Sequence, residues 1–60
     1  MKEFRVSVVG FNAEKFRYDY AAYITNEESF LYDEYIFTLS APQSVYDEID
    51  GLKEELIEIL

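Results

Sequence analysis

SAPQSVYDEIDGLKEELIEIL, residues 40–60, is the stretch that decides the predicted fold. Its apolar residues recur every three or four positions, at 41, 45, 49, 52, 56 and 59. This spacing lines one face of a helix with 3.6 residues per turn. Ser40 and Gln43 match a capping box, and Pro42 is tolerated because first-turn amides lack an intrahelical acceptor. We therefore predict one long C-terminal helix, in which Gly51 permits a close approach to the sheet.

The residues before this helix predict strands. Residues 3–9 alternate, with Phe4, Val6 and Val8 on one face, and Gly10 marks a bulge or the end of that strand. We predict a polar hairpin loop at 12–15 and a second strand at 16–25.

The third strand is predicted at 35–39, where Tyr35, Phe37 and Leu39 share a face. Residues 26–34 fit a strand, a loop or a short helix capped by Asn26. Sixty residues form a single domain, 1–60. The fold class is therefore α+β: a three-stranded antiparallel sheet with the C-terminal helix packed on one face (βββα).

The composition argues against catalysis. The chain has no cysteine and no histidine, which removes disulfides, thiolate metal sites and the commonest general base. Paired carboxylates would need a cleft that raises one pKa, and so small a domain can hardly enclose one. The segment YDEIDG fails the calcium-loop template, because Tyr46 and Ile57 occupy positions that require carboxylates. We predict a non-enzyme with no cofactor and no metal.

Charge is the sharpest feature of the chain. The net charge is −8, the pI is about 4.1, and nearly all the excess acid lies after residue 25. Such a protein repels nucleic acid and anionic lipid and favours basic partners. The uncharged runs are too short for a membrane span, and the N-terminus lacks an apolar signal core. We expect a soluble, cytoplasmic protein with no direct nucleic-acid or membrane contact.

Six carboxylates lie in the predicted helix: Asp47, Glu48, Asp50, Glu54, Glu55 and Glu58. Four of them, spaced 3, 4 and 4 residues apart, form a row opposite the apolar face: Asp47, Asp50, Glu54 and Glu58. A helix about 25 Å long carries one charge per ~4 Å, close to the ~3.4 Å of one DNA strand. The ordinary alternative is a solvated face that aids solubility. The position of Glu55 and Glu58 argues against this alternative, because carboxylates near the negative end of the helix dipole destabilise the helix.

Phe and Tyr residues supply a second signal, since eleven of the 60 residues are aromatic. The inward faces of the predicted elements account for Phe4, Phe16, Tyr18, Tyr20, Tyr35 and Phe37. The other aromatics have no assured core position: Phe11, Tyr23, Phe30, Tyr32 and Tyr46. Tyr32 and Tyr46 lie beside acids, as in Tyr32-Asp33-Glu34, which suits anchors at an interface with a basic partner.

In size, charge pattern and aromatic content, with the helix acids and the Tyr32–Tyr35 segment, the chain resembles small acidic phage-encoded DNA-mimic inhibitors. These include uracil-DNA glycosylase inhibitors and anti-CRISPR proteins. The resemblance implies a protein that blocks a nucleic-acid channel by presenting carboxylates as phosphates.

The predicted function is therefore a non-enzymatic inhibitor of a basic nucleic-acid-binding protein in a bacterial host. Its predicted partner-binding residues are Asp47, Asp50, Glu54, Glu58, Glu55, Asp33, Glu34, Tyr32 and Tyr46, with Glu27 and Glu28 extending the field. The alternative is a small structural module that forms a homodimer through the helix stripe, its acids serving only solubility. An acidic antitoxin or chaperone-like partner of a basic protein fits the same sequence. Whether the protein is a monomer or a homodimer is left open.

Overall fold

The computed structural model describes residues 1–30, 33–52 and 56–60, with the backbone alone for 56–59. The elements in chain order are β1 (Lys2–Val9), α1 (Gly10–Asp19), β2 (Ile24–Phe30), β3 (Glu34–Ala41), α2 (Gln43–Leu52) and β4 (Leu56–Ile59). The strands form one antiparallel sheet in the order β2-β3-β1-β4. Each helix thus connects two parallel strands that flank a third, which is the split βαβ arrangement.

The α+β class and the antiparallel sheet are confirmed. The strand predicted at 3–9 is β1, and the strand predicted at 35–39 lies within β3. Phe4, Val6 and Phe37 are completely buried. The two strands pair along their full length, from Lys2 opposite Ala41 to Val9 opposite Glu34, so the alternation identified the centre of the sheet.

The predicted hairpin loop at 12–15 and the predicted strand at 16–25 are wrong. Residues 10–19 form α1, which buries Ala13 and Phe16. The backbone N–H of Tyr20 closes the helix on the carbonyl of Phe16 at 3.0 Å. The spacing of three and four residues among these buried side chains is that of a helix. The ambiguous segment 26–34 is strand as far as Phe30, and Asn26 lies inside β2 rather than capping a helix.

The single long C-terminal helix is also wrong. Helix α2 begins at Gln43 and ends at Leu52, and residues 56–59 form β4 against β1. Ser40 does not cap α2, because it belongs to β3 and donates its backbone N–H to Tyr23 at 2.9 Å. The first turn of α2 closes instead on the carbonyl of Pro42, which accepts from Val45 at 3.0 Å. A Cβ on Gly51 would meet no atom within 4 Å, so Gly51 permits no close approach.

One core joins the sheet to both helices. Its buried side chains are Phe4, Val6, Val8, Ala13, Phe16, Tyr20, Phe37, Leu39, Ala41, Val45 and Ile49. Both helices contribute to this cluster, so they cover the same face of the sheet. The opposite face carries the alternate residues of β1 and β3, including Arg5, Ser7 and Glu34. The charged side chains of the described residues therefore lie on that open face, on the outer sides of the helices and at the sheet edges.

Candidate protein-binding surfaces

Every acidic side chain that the structure describes is exposed. These residues are Glu3, Glu14, Asp19, Glu27, Glu28, Asp33, Glu34, Asp47, Glu48 and Asp50. Asp19 and Glu27 form ion pairs, with Lys15 at 3.0 Å and Arg17 at 2.7 Å. The described part of the chain therefore presents ten exposed carboxylates to solvent.

The predicted row of four acids is not a single helical row. Asp47 and Asp50 both lie on α2, exposed, one turn apart on the side away from buried Val45 and Ile49. Residue 58 lies in β4, where it is the register partner of Arg5. Glu54 and Glu55 lie outside the described residues. Of the four acids in the predicted row, the structure places only Asp47 and Asp50 on α2 among the described residues.

Helix α2 carries three acids and no base among its described residues, Gln43–Leu52. Asp47 accepts a hydrogen bond from the Gln43 side-chain amide at 2.9 Å. Asp50 lies in the last turn, where the helix dipole favours a cation rather than a carboxylate. Glu48 lines a shallow groove of about 210 Å³ between the helices, together with Lys15 and Leu52. This helix therefore holds exposed negative charge at a position that costs stability.

The Asp33 carboxylate packs against the start of α1. Its backbone has a φ of 63°, the left-handed conformation that few residues other than glycine adopt. A Cβ on Gly10 would clash with this carboxylate, so Gly10 is needed for the close approach. The positive end of the α1 dipole stabilises a carboxylate there. Asp33 thus has a structural role that its sequence position did not reveal.

Two other predicted site residues are also held by internal contacts. Glu34 accepts a hydrogen bond from the Ser7 hydroxyl at 3.1 Å but stays exposed. Tyr46 is half-buried, its ring packs edge-on against Phe4 with centroids 5.1 Å apart, and the Lys2 ammonium lies 4.8 Å from its centre. Tyr46 therefore packs α2 against the sheet, with part of its side chain exposed. Tyr32 lies outside the described residues.

The two most exposed aromatic side chains among the described residues are on α1, and the sequence did not identify them as a pair. Phe11 and Tyr18 are each 85% exposed. They lie seven residues apart, two turns along one side of the helix. The sequence pattern predicts no core position for Phe11. It predicts an inward position for Tyr18, because residues 16–25 alternate as in a strand. Large exposed aromatics are the side chains most often found at the centres of protein interfaces.

Arg17 and Glu27 form the best-defined polar contact. The guanidinium of Arg17 donates two hydrogen bonds to the Glu27 carboxylate, at 2.8 and 2.7 Å, and so ties α1 to β2. These hydrogen bonds lower the pKa of Glu27, with a smaller opposing effect of burial, and raise the pKa of Arg17. The Arg17 side chain is 44% exposed and the Glu27 side chain 34%, so solvent weakens the ion pair.

We expect Glu27→Gln to reduce the melting temperature by a few degrees at most at pH 7. Since folding lowers the pKa of Glu27, its contribution is complete above the ordinary value of 4.5 and is lost as the pH falls through the folded value. The difference between wild type and variant should therefore shrink as the pH is lowered below 4.5, as measured by circular-dichroism melts. Glu28→Gln, which removes the same charge from a residue with no described ion pair, is the control. An equal, pH-dependent loss in both variants would contradict this assignment.

The described residues contain no group of three histidine, cysteine or acidic side chains placed to hold a metal ion. No helix in this part of the chain combines the length and apolar character needed to cross a membrane. The groove between the helices is smaller than the roughly 300 Å³ at which small-molecule pockets begin. The exposed acids and aromatics are therefore the main candidate binding surfaces of the described residues.

Comparison of the chain with protein-family models, curated proteins and solved structures found no match. The likeness to phage-encoded inhibitors thus rests on size, charge and composition.

Proposed function

We propose that this protein is a non-enzymatic inhibitor that binds the basic nucleic-acid-binding site of a host protein, with carboxylates standing in for phosphates. The outer side of α2 is the contact surface, and Asp47 and Asp50 are its central charges. In this proposal it acts as anti-CRISPR and other phage-encoded DNA mimics do, in the bacterial cytoplasm.

One observation carries the proposal: α2 exposes three carboxylates and has no base among its described residues. A helix selected for stability alone would carry Lys or Arg in its last turn, where Asp50 lies. Binding to a cationic surface offsets this cost, since the partner supplies the missing positive charge. The remaining net charge steers the protein towards such a surface.

A homodimer formed through the apolar stripe of the predicted helix is less well supported. Val45 and Ile49 of that stripe are buried in the core of the same chain. The stripe also does not continue along α2, which ends at Leu52. Of the described apolar side chains that the dimer would use, Leu52 and Leu60 are exposed, at 47% and 55%.

The experiment captures partners from a bacterial lysate on immobilised protein at low salt, then measures the affinity of the purified partner. We expect DNA-binding or RNA-binding proteins, released by a salt gradient and displaced by a DNA duplex. Replacing Asp47 and Asp50 together by asparagine should weaken binding about tenfold at 50 mM salt, because two close charge contacts are lost.

The matched control is Glu3→Gln with Glu14→Gln, which makes the same change in net charge on surfaces away from α2. It should weaken binding less than threefold. Equal effects of the two double variants would show that α2 is not the contact surface. A partner that DNA does not displace would rule out phosphate mimicry.

A further inference from the structure

Strand β2 forms an exposed edge of the sheet. It pairs with β3 on one side only, and residues 25–30 are all exposed. The register is irregular between Ile24 and Asn26 and continuous from Asn26 to Phe30. An edge strand leaves about half of its backbone N–H and C=O groups without a partner in the sheet. Five regular residues thus offer a short template for another strand.

The acids of β2 differ in their surroundings. Glu27 lies opposite Phe37 on the helix side of the sheet, where Arg17 holds it. Glu28 lies on the open face opposite Ile36, and its one described contact is a long hydrogen bond of 3.5 Å from Asn26. Phe30, on the same face, is 49% exposed. The open side of this edge therefore combines an unneutralised carboxylate with apolar surface.

These charges argue against a second copy as the occupant of the edge. Two β2 strands paired antiparallel about their centres would bring Glu27 and Glu28 of one copy against those of the other. Like charges directly opposite one another destabilise a strand pair. A strand with Lys or Arg near Glu28 and apolar residues near Phe30 and Ile36 would be stabilised by the same groups.

We propose that the β2 edge binds an extended segment of another protein by strand addition, and that this segment carries a basic and an apolar residue two positions apart, on the same face of its strand. This surface is separate from α2 and does not depend on the proposed function. The proposed partner of β2 is a positively charged strand, whereas the proposed partner of α2 is a nucleic-acid-binding site.

The probe is an octapeptide, Lys-Thr-Val-Thr-Lys-Thr-Val-Thr, in which lysine and valine share one face of the strand. It is added to the full chain at 150 mM salt, and its counterpart has glutamate in place of each lysine. We expect the lysine peptide to bind and to slow amide hydrogen exchange within residues 26–30, as measured by NMR. The glutamate peptide should not bind. Absence of binding by the lysine peptide, or slowed exchange confined to α2, would overturn the proposal.

Glu28→Lys should reduce the affinity for the lysine peptide about tenfold, because an attractive cross-strand pair becomes a repulsive one. Asp50→Lys makes the same charge change on α2 and should reduce it less than threefold, since screening weakens attraction beyond about 8 Å. Glu28→Gln serves if the lysine variant fails to fold, with an expected loss of about threefold. Equal losses at positions 28 and 50 would indicate general attraction and overturn the proposal. So would concentration-dependent protection of β2 without peptide, which would identify a second copy as the occupant.

Discussion

Phe37→Ala is expected to unfold most of the protein at 37 °C. Phe37 is completely buried in β3, its ring lies 5.0 Å from that of Phe16, and the Arg17 guanidinium lies 5.7 Å from its centre. Removing a buried phenylalanine costs about 3–5 kcal/mol. A chain of this length has roughly 3–9 kcal/mol of stability in total. The loss is therefore a large part of the whole, and circular dichroism with urea unfolding measures it.

Phe11→Ala is the matched control, because it removes the same atoms from a side chain that is 85% exposed. Its effect on the free energy of unfolding should stay within about 0.5 kcal/mol. The comparison separates burial from the intrinsic properties of phenylalanine. Similar losses in the two variants would mean that the core does not centre on β3 and α1.

The sequence predicted the middle of the sheet because the pattern there has one interpretation. In β1, Phe4, Val6 and Val8 alternate with Glu3, Arg5 and Ser7, and this period of two is incompatible with one face of a helix. β3 shows the same period at Tyr35, Phe37 and Leu39. Where a strand has one buried and one wet face, local pattern and tertiary position agree.

Helix α1 was missed because its residues satisfy two periods. Phe16, Tyr18 and Tyr20 alternate as in a strand, whereas Ala13, Phe16 and Tyr20 follow the spacing of a helix. The structure buries the second set and leaves Tyr18 85% exposed. Aromatic residues favour strands, so propensity supported the wrong choice. This segment connects the parallel strands β1 and β2, and such connections are usually helical, which favours the helix over the strand.

The C-terminal segment shows the same ambiguity, with greater consequences for the candidate site. Apolar residues at 52, 56 and 59 continue a helical stripe, yet residues 56–59 pair with Phe4–Ser7 of β1. Without that pairing, β1 would be an edge strand with unpaired backbone groups. No local pattern reveals such a long-range partner. Asp47 and Asp50 remain on one helix as predicted, whereas residue 58 is moved to the sheet.

Glu14→Pro tests the corrected part of the fold and is expected to cost at least about 3 kcal/mol. Residue 14 is exposed and lies inside α1, where its N–H would bond to the carbonyl of residue 10. Proline removes that hydrogen bond and clashes with the same carbonyl. Breaking α1 also displaces Phe16 from the core and Arg17 from Glu27. We expect an unfolded or nearly unfolded chain by circular dichroism.

Glu14→Ala provides the control, since alanine removes the same charge and is the best helix former. It should leave stability unchanged or raise it by up to about 0.5 kcal/mol. The two substitutions together distinguish the helix from the hairpin loop predicted at 12–15, because a polar turn commonly accepts proline. If the proline variant were as stable as the alanine variant, residues 12–15 would form a loop. Phe16, Tyr18 and Tyr20 would then return to one face of a strand, and Tyr18 would no longer be available to a partner.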